Sequence, residues 1–336
     1  MATTLEQPDA LTAGLHTKTT LRAREHRSVE AEALLLAVVK VAHEQDDTEF
    51  EARARGTLGW LRVQSDLPEA TEELEASLAL SRRLAYTGFQ AECIHDLAVS
   101  HFSAGRWGEA EGYAREAAEL VLSRWPYGRV PLVLVLAGRG QFEEAEQHFH
   151  SLAEAADGDD PDHRAAVGIA QGVMALAQGR LDAALAAAGS AVREGVLRQG
   201  LLSHRSRLAW PIAMDAALAA DMLDEAESLL ALVGDAPRGH VPPYLRAQLA
   251  RYRALVAAAR GQHEDVEAGL RRAIDGFREL GYPYWLARVQ ADLAQWLSGQ
   301  GREGEAEPLL TEAMDTFTRL GAQPDLDRLR STVPSG

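Results

Sequence analysis

Residues 102–120 have the sequence Phe102-Ser-Ala-Gly-Arg-Trp-Gly-Glu-Ala-Glu-Gly-Tyr-Ala-Arg-Glu-Ala-Ala-Glu-Leu120, and this pattern organises the rest of the chain. It predicts the end of one helix, a tight turn at Gly105, and a second helix in which Ala110 and Ala117 lie seven residues apart. Small residues at this spacing let helix axes approach closely, because a larger side chain would overpack the contact by about 1–3 kcal/mol. The stretch therefore predicts one antiparallel helical hairpin.

The same pattern recurs along the chain, with turns expected near residues 26, 65, 105, 140, 179, 221, 261 and 301, at intervals of 35 to 42 residues. A sustained period in this range is typical of stacked hairpins, each of which buries its apolar face against its neighbours. The predicted helix pairs are 48–64 with 68–86, 88–104 with 107–124, 128–139 with 142–156, 162–178 with 181–198, 202–220 with 222–234, 243–260 with 263–280, and 284–300 with 303–320.

The predicted fold is all-α: one α-solenoid, a right-handed superhelix of antiparallel hairpins, over residues 28–323. Residues 1–27 are expected to form an N-terminal tail or a degenerate helix, and residues 324–336 a C-terminal tail.

Composition limits the classes of function. The formal net charge of −16 argues against direct binding of nucleic acid or of an anionic membrane as the main activity. Cys93 is the single cysteine, which excludes an intramolecular disulfide and a cysteine-based zinc site. The start of the chain lacks the features of a signal peptide and no apolar run has the length of a membrane span. We expect a cytoplasmic, bacterial protein without a cofactor or a metal.

The repeat resembles the tetratricopeptide repeat (TPR) family. That family has a small residue in its first helix, then a turn glycine and two small residues in its second helix, as in Leu97-Ala98, Gly105, Ala110 and Ala117. The chain departs from the family in its period, which is near 40 residues instead of 34. This longer form resembles the C-terminal helical sensor region of large bacterial ATP-dependent transcriptional regulators and cyclases. The chain has no Gly-x-x-x-x-Gly-Lys-Ser/Thr motif, so only the sensor half of such a protein is expected.

The resemblance implies a non-enzymatic scaffold that binds a protein or peptide partner on a concave surface, lined by one face of each first helix. Equivalent positions are counted from the anchors Leu58, Ala98, Val133, Gly172, Met214, Ala254 and Ala294. They give these candidate groove residues: Arg55, Arg62, Glu92, His95, Phe102, Tyr127, Asp215, Gln248, Arg251, Arg288 and Gln295. The alternative is that several of these residues only coat a solvated surface.

A second candidate site is a net-positive segment in an otherwise acidic chain. Between Asp182 and Asp215 the only acidic residue is Glu194. Four arginines in that segment are candidates for receiving an anionic ligand: Arg193, Arg198, Arg205 and Arg207. An ordinary solvated helix face is the alternative.

Two further hypotheses stay open. One is a sensor that binds a small-molecule effector near Trp210 and these four arginines. The other is self-association into a homo-oligomer through the last hairpin, because an uncapped solenoid end exposes apolar surface.

Overall fold

The hairpin turns are defined by residues in the left-handed region of backbone conformation. The seven turn residues are Asp66, Gly105, Gly140, Gly179, Asp221, Gly261 and Gly301, with φ between 55° and 76°. Five are glycine, which enters this region without a Cβ penalty, and the other two are aspartate, one of the few side chains that tolerate it. The local sequence therefore fixes where each helix pair reverses direction.

A computed structural model describes residues 14, 17–19, 21–22, 27–120, 126–201 and 203–332; of residues 126–127, 197–199, 204, 238 and 332 it describes the backbone only. Within these ranges sixteen α-helices follow one another: α1 Ser28–Glu44, α2 Thr48–Gln64, α3 Ala70–Arg83, α4 Thr87–Ser103, α5 Trp107–Leu120, α6 Val130–Gly138, α7 Phe142–Ala155, α8 Pro161–Ala177, α9 Leu181–Gln199, α10 His204–Ala219, α11 Leu223–Gly234, α12 Pro243–Ala259, α13 Val266–Leu280, α14 Pro283–Gly299, α15 Glu303–Leu320 and α16 Gln323–Thr332. Short 3-10 helices lie at Pro126–Arg129 and Arg238–His240.

Helices α2 to α15 form seven antiparallel hairpins, numbered 1 (α2 and α3) to 7 (α14 and α15). Small residues bring the helices of a hairpin together: a Cβ on Gly59 would lie 2.5 Å from Leu74 Cγ, and one on Gly172 would lie 3.0 Å from Ala188 Cβ. Ala98, at the equivalent position of hairpin 2, is fully buried. The architecture is a TPR-like α-solenoid, as the sequence predicts.

Hairpins that are far apart in the sequence touch one another. Pro283, at the start of α14, lies against the turn of hairpin 2, where a Cβ on Gly105 would come within 2.3 Å of its ring. Pro324, in α16, lies in the same way against Gly140 of hairpin 3. Asp66 of hairpin 1 contacts residues of hairpins 5, 6 and 7. These contacts narrow the concave face into an enclosed groove.

The C-terminal segment differs from the sequence-based expectation. Residues 324–332, predicted as a tail, form most of α16, whose Leu326 and Leu329 are buried. These two leucines lie three residues apart on one face of a short helix, and they pack against the last hairpin with Phe317. Of residues 1–27, those at 14, 17–19 and 21–22 are helical, Arg27 precedes α1, and the others lie outside the described residues. None of the helices in the described ranges is long and apolar enough to cross a membrane.

The contact at Gly105 can be tested with a matched pair of turn variants. Gly105→Ala and Gly179→Ala both place a Cβ at a φ near +70°, which costs about 1–2 kcal/mol. Only the alanine at 105 also meets Pro283, whereas nothing lies within 4 Å of a Cβ on Gly179. We expect Gly105→Ala to lose about 1–3 kcal/mol more than Gly179→Ala in urea unfolding. Equal losses would mean that hairpins 2 and 7 do not touch in solution.

Candidate functional site

The groove is lined by equivalent positions of the first helices α10 and α14. Positions are counted back from the turn residue of each hairpin, and in these two helices the groove-facing ones are −13, −9, −6 and −3. In α10 these are Leu208, Ile212, Asp215 and Leu218, and in α14 they are Arg288, Asp292, Gln295 and Ser298; all but Ser298 line one cavity. Each step of three or four residues is about one helical turn, so these side chains form one stripe.

The cavity has a volume of about 640 Å³ and lies between hairpins 2 to 7 and α16. One wall is apolar and is supplied by α6, α8 and α10; it consists of Leu134, Val173, Leu176, Leu208, Ile212 and Leu218. The charged wall adjoins it at Asp215 of α10 and continues with charged residues of α12, α14 and α16. An apolar cavity of this size with a few convergent polar groups has the character of a ligand site.

A buried ionic cluster forms the core of the charged wall. Asp215 lies 2.7 Å from Arg288 Nη1 and 3.6 Å from Arg251 Nη1, and the Tyr252 hydroxyl donates to it at 2.9 Å. Arg251 Nε donates to Asp292 at 2.6 Å. Burial alone would raise the pKa of Asp215, but Arg288 and Arg251 outweigh it and hold that pKa below its ordinary value. The carboxylate is therefore ionised and clamped between two buried cations.

Helix α16 completes the cluster from the C-terminal end. The Tyr284 hydroxyl donates to Asp325 at 3.0 Å, and Arg328 and Arg288 lie 3.3 Å and 3.7 Å from the same carboxylate. Burial is the main cause that raises the pKa of Tyr284 above its ordinary value, so the phenol remains a donor. Asp325 thus ties α16 to α14 at the edge of the cavity.

Aromatic rings close the other end of the cavity. The rings of Phe102 and Trp107 stack at 5.2 Å, and Tyr284 of hairpin 7 lies 5.1 Å from Trp107. Trp107 Nε1 donates to the carbonyl oxygen of Phe102 at 3.2 Å, which fixes the indole. Hairpins 2 and 7 therefore meet through an aromatic contact that bounds the cavity.

A second cavity, of about 660 Å³, lies between α14, α15 and α16. Its floor is apolar and includes Leu310, Met314 and Phe317. Arg288 and Asp325 line both cavities, so the ion pair between them forms part of the shared wall.

Five of the candidate groove residues line the groove cavity: Phe102, Asp215, Arg251, Arg288 and Gln295. Three others, on α4 and α12, do not line it: Glu92, His95 and Gln248. Gln248 is fully buried and donates to the Tyr244 hydroxyl at 3.1 Å. His95 is also buried, and burial together with Arg205 lowers its pKa to about 3. The side chain of Tyr127 lies outside the described residues.

Arg55 and Arg62 do not line the cavity either, since no residue of hairpin 1 contributes to it. Arg55 bonds to Glu51 at 2.9 Å and to Glu73 at 2.7 Å, and Arg62 bonds to Glu32 at 2.8 Å. The turn of hairpin 1 is at Asp66, one residue later than the expected position 65.

The four arginines proposed to receive an anion do not form one site. Arg193 pairs with Glu225 on the exposed surface, Arg205 lies 3.1 Å from Asp162, and Arg207 pairs with Asp66. Each has its own carboxylate, while the side chain of Arg198 lies outside the described residues.

Trp210, which the small-molecule hypothesis places at the effector site, belongs to the core. Its indole is 1% exposed, and Nε1 donates to the carbonyl oxygen of Leu229 at 2.9 Å. The described geometry leaves no open space for an effector against this ring.

Sequence reasoning missed Asp292, Asp325 and Trp285 in the cavity. Asp292 could have been found, since it lies at the same position in its repeat as Ile212. Asp325 had no such signal, because it lies beyond the last repeat. Among the described residues, no group of three His, Cys, Asp or Glu side chains is arranged to hold a metal ion.

Comparisons with known proteins agree with this architecture. Residues 90–121 match the family model described as tetratricopeptide repeat. No curated protein sequence matches the chain. A Rap protein complexed with competence and sporulation factor is similar in structure, with a TM-score of 0.62 and 13% identity over 93% of this chain and 99% of that one. The apo form of the quorum sensor NprR from B. thuringiensis has a TM-score of 0.59 and 16% identity over 91% of this chain and 87% of that one. The chain thus shares a TPR-like helical-repeat fold with these two proteins.

Proposed function

We propose that this protein is a non-enzymatic regulatory scaffold that binds a short peptide in the groove cavity. The observation that carries the proposal is the cavity itself, in which apolar residues of α6, α8 and α10 lie beside a buried cluster of arginines and aspartates on α10, α12, α14 and α16. A peptide presents both kinds of surface, since its side chains can be apolar while its backbone and termini are polar.

The charged wall suits a polar ligand for a physical reason. Arg251 and Arg288 are held in place by Asp215, Asp292 and Asp325, so their remaining donors are fixed before a ligand arrives. A guanidinium offers five donors in a rigid fork, and donors fixed in advance lose little conformational entropy on binding. The apolar wall then provides the burial of side chains that stabilises the complex.

The similar structures support a regulatory role. The Rap structure is a complex with competence and sporulation factor, and NprR is described as a quorum sensor. Both have the overall fold of this chain, and a sensor region is also what the long repeat resembles. A peptide that contacts both walls would hold hairpins 3 to 5 and α16 at a fixed separation. Peptide binding would in this way change the arrangement of the helices on the outer surface.

A substitution that fills the cavity tests the proposal. Leu176 is half-buried and lines the cavity, so Leu176→Trp should occupy part of the volume and weaken peptide binding at least about tenfold. Leu230→Trp, at a half-buried position on α11 outside the cavity, is the matched control. Binding of a synthetic library of short peptides to the full chain, read by affinity selection and mass spectrometry, gives the measurement. Equal capture by wild type and Leu176→Trp would contradict the assignment.

The small-molecule alternative rests on the cavity volumes of about 640 and 660 Å³, which lie in the range of sites for small ligands. A metabolite that raises the Tm of the wild type in a saturable way, and not that of Leu176→Trp, would favour it over a peptide.

A further inference from the structure

Arg251 and Arg288 keep hydrogen-bond donors that the protein itself does not use. Arg288 donates one of its five N–H groups, from Nη1 to Asp215 at 2.7 Å. Arg251 donates two, from Nε to Asp292 at 2.6 Å and from Nη1 to the Tyr252 hydroxyl oxygen at 3.0 Å. Within the described ranges no acceptor is hydrogen-bonded to Nη2 of either arginine. Each guanidinium therefore has a terminal nitrogen available to a ligand.

These unused donors are at the surface of the groove cavity. Arg251 is 2% exposed and Arg288 is 9% exposed, so neither guanidinium is surrounded by bulk solvent. Neither Nη2 atom is among the described side-chain atoms that are both sealed from solvent and unpaired. Since each lacks an acceptor, each retains some accessible surface, and both residues line the cavity. A buried donor without an acceptor is costly, so these two nitrogens call for a partner.

The two guanidiniums are brought together by one carboxylate and held rigidly. Arg288 lies at Oδ2 of Asp215 and Arg251 lies at Oδ1. Arg288 also lies over the ring of Trp285 at 5.7 Å, and Arg251 lies over the ring of Tyr252 at 4.7 Å, which restricts both planes. Two fixed guanidinium forks next to each other match the planar, two-oxygen geometry of a carboxylate.

The unused hydrogen-bonding capacity of this wall is mainly donor capacity. Both oxygens of Asp215 and both oxygens of Asp325 already face a hydroxyl donor or a guanidinium. Asp292 has one oxygen, Oδ1, without a donor among the described residues. The charges of the arginines and aspartates in the wall balance, and the whole chain has a net charge of −16, so a general attraction for anions is absent. An anionic group would therefore be recognised by these fixed donors.

Resting on the proposed function, we propose that Arg251 and Arg288 form a subsite of the groove for a carboxylate of the bound peptide, supplied by its C-terminus or by an Asp or Glu side chain. Ile212 and Leu218 lie three residues before and after Asp215 on α10, about 5 Å along the helix axis, and both line the cavity. The ligand is thus a peptide with an apolar side chain next to its carboxylate.

The test compares peptides that differ only in one carboxylate. The probes are three libraries of synthetic pentapeptides with an acetylated N-terminus, in which one position is fixed and the others hold Ala, Val, Leu or Phe. The first library has Gln and a C-terminal amide, the second has Gln and a free C-terminus, and the third has Glu and a C-terminal amide. The wild-type chain should enrich the second or the third at least about tenfold over the first, because charge-assisted hydrogen bonds are the difference. The library that is enriched identifies the source of the carboxylate.

The variant Arg288→Lys keeps a positive charge beside Asp215 and removes the second terminal nitrogen. Its preference for the carboxylate should fall at least about threefold, while its capture of the neutral library stays unchanged. The control is Arg260→Lys, which changes a surface arginine that also pairs with two carboxylates and should keep the full preference. Full preference in Arg288→Lys would overturn the assignment. Equal capture of all three libraries by the wild type would overturn the subsite and leave the peptide groove standing, whereas capture of no peptide would overturn the proposed function as well.

A salt series on the wild type tests the subsite without any variant. Buried charges are screened much less by salt than exposed charges, so the preference for the carboxylate should change less than about threefold between 0.05 M and 0.5 M NaCl. A preference that disappears at 0.5 M NaCl would place the carboxylate on an exposed arginine and would overturn its assignment to Arg251 and Arg288.

Discussion

Replacing Asp66 with alanine is expected to lower the free energy of unfolding by about 3–5 kcal/mol, because it leaves a buried arginine without its counterion. The side chain of Asp66 is fully buried and that of Arg207 is 4% exposed. The same carboxylate accepts hydrogen bonds from the backbone N–H of Tyr244 at 2.8 Å and from the Tyr282 hydroxyl at 3.0 Å. Arg207 also donates to the carbonyl oxygen of Val63 at 2.8 Å. One side chain of hairpin 1 thus fastens it to hairpins 5, 6 and 7.

Urea unfolding of Asp66→Ala measures the loss, and small-angle scattering of the folded variant measures the second consequence. Without this contact the first hairpin should swing away, so the radius of gyration should increase. The double variant Asp66→Ala/Arg207→Met removes the stranded charge and should recover part of the lost stability, which a double-mutant cycle would quantify. A loss below about 1 kcal/mol for Asp66→Ala, the range of an exposed pair, would show that the contact is open in solution.

The contacts that close the solenoid could not have been predicted from the repeat. Periodicity specifies which residues of neighbouring helices meet, since each hairpin packs against the next. It does not specify the superhelical pitch. The contact between Asp66 and Arg207, which are 141 residues apart, depends on that pitch. Helix boundaries, by contrast, follow from turn residues and caps within a few positions. The seven predicted helix pairs therefore correspond to hairpins 1 to 7. The contacts between distant hairpins that form the groove could not be predicted from the sequence.

In the candidate site, too, positions within a repeat could be predicted and contacts between distant repeats could not. Asp215, Arg251 and Arg288 follow from counting along repeats whose turns were correctly placed. Arg55 and Arg62 do not line the cavity, because hairpin 1 contributes no residue to it, and a count along repeats does not show which hairpins enclose a cavity. The ion pairs could not be predicted by counting positions within a repeat, since Arg288 and its partner Asp215 are separated by 73 residues.

The other large loss of stability is expected for Asp215→Ala, which would remove one carboxylate partner from each of two buried arginines. Arg251 keeps Asp292 and Arg288 keeps the more distant Asp325, so the loss should be near the lower end of about 3–5 kcal/mol. The Tyr252 hydroxyl would keep the carbonyl oxygen of Pro211, 3.1 Å away, as an acceptor. The control is Asp224→Ala, which removes a carboxylate that is 97% exposed and pairs with Arg260 on the surface. We expect no measurable loss there.

The pH dependence of stability separates the charge of Asp215 from its packing. Its pKa is depressed in the folded state, so the stability that it contributes is complete above the unfolded pKa of about 3.9 and is lost as the pH falls through the lower folded value. Asp215→Asn keeps the size of the side chain and removes this titration. The free energy of unfolding of the wild type should therefore fall towards that of Asp215→Asn as the pH is lowered from neutral to below about 3.9, and the two should differ most near neutral pH. A constant difference across this range would assign the effect of Asp215 to packing alone, and the arginines of the groove would then have to be held by Asp292 and Asp325.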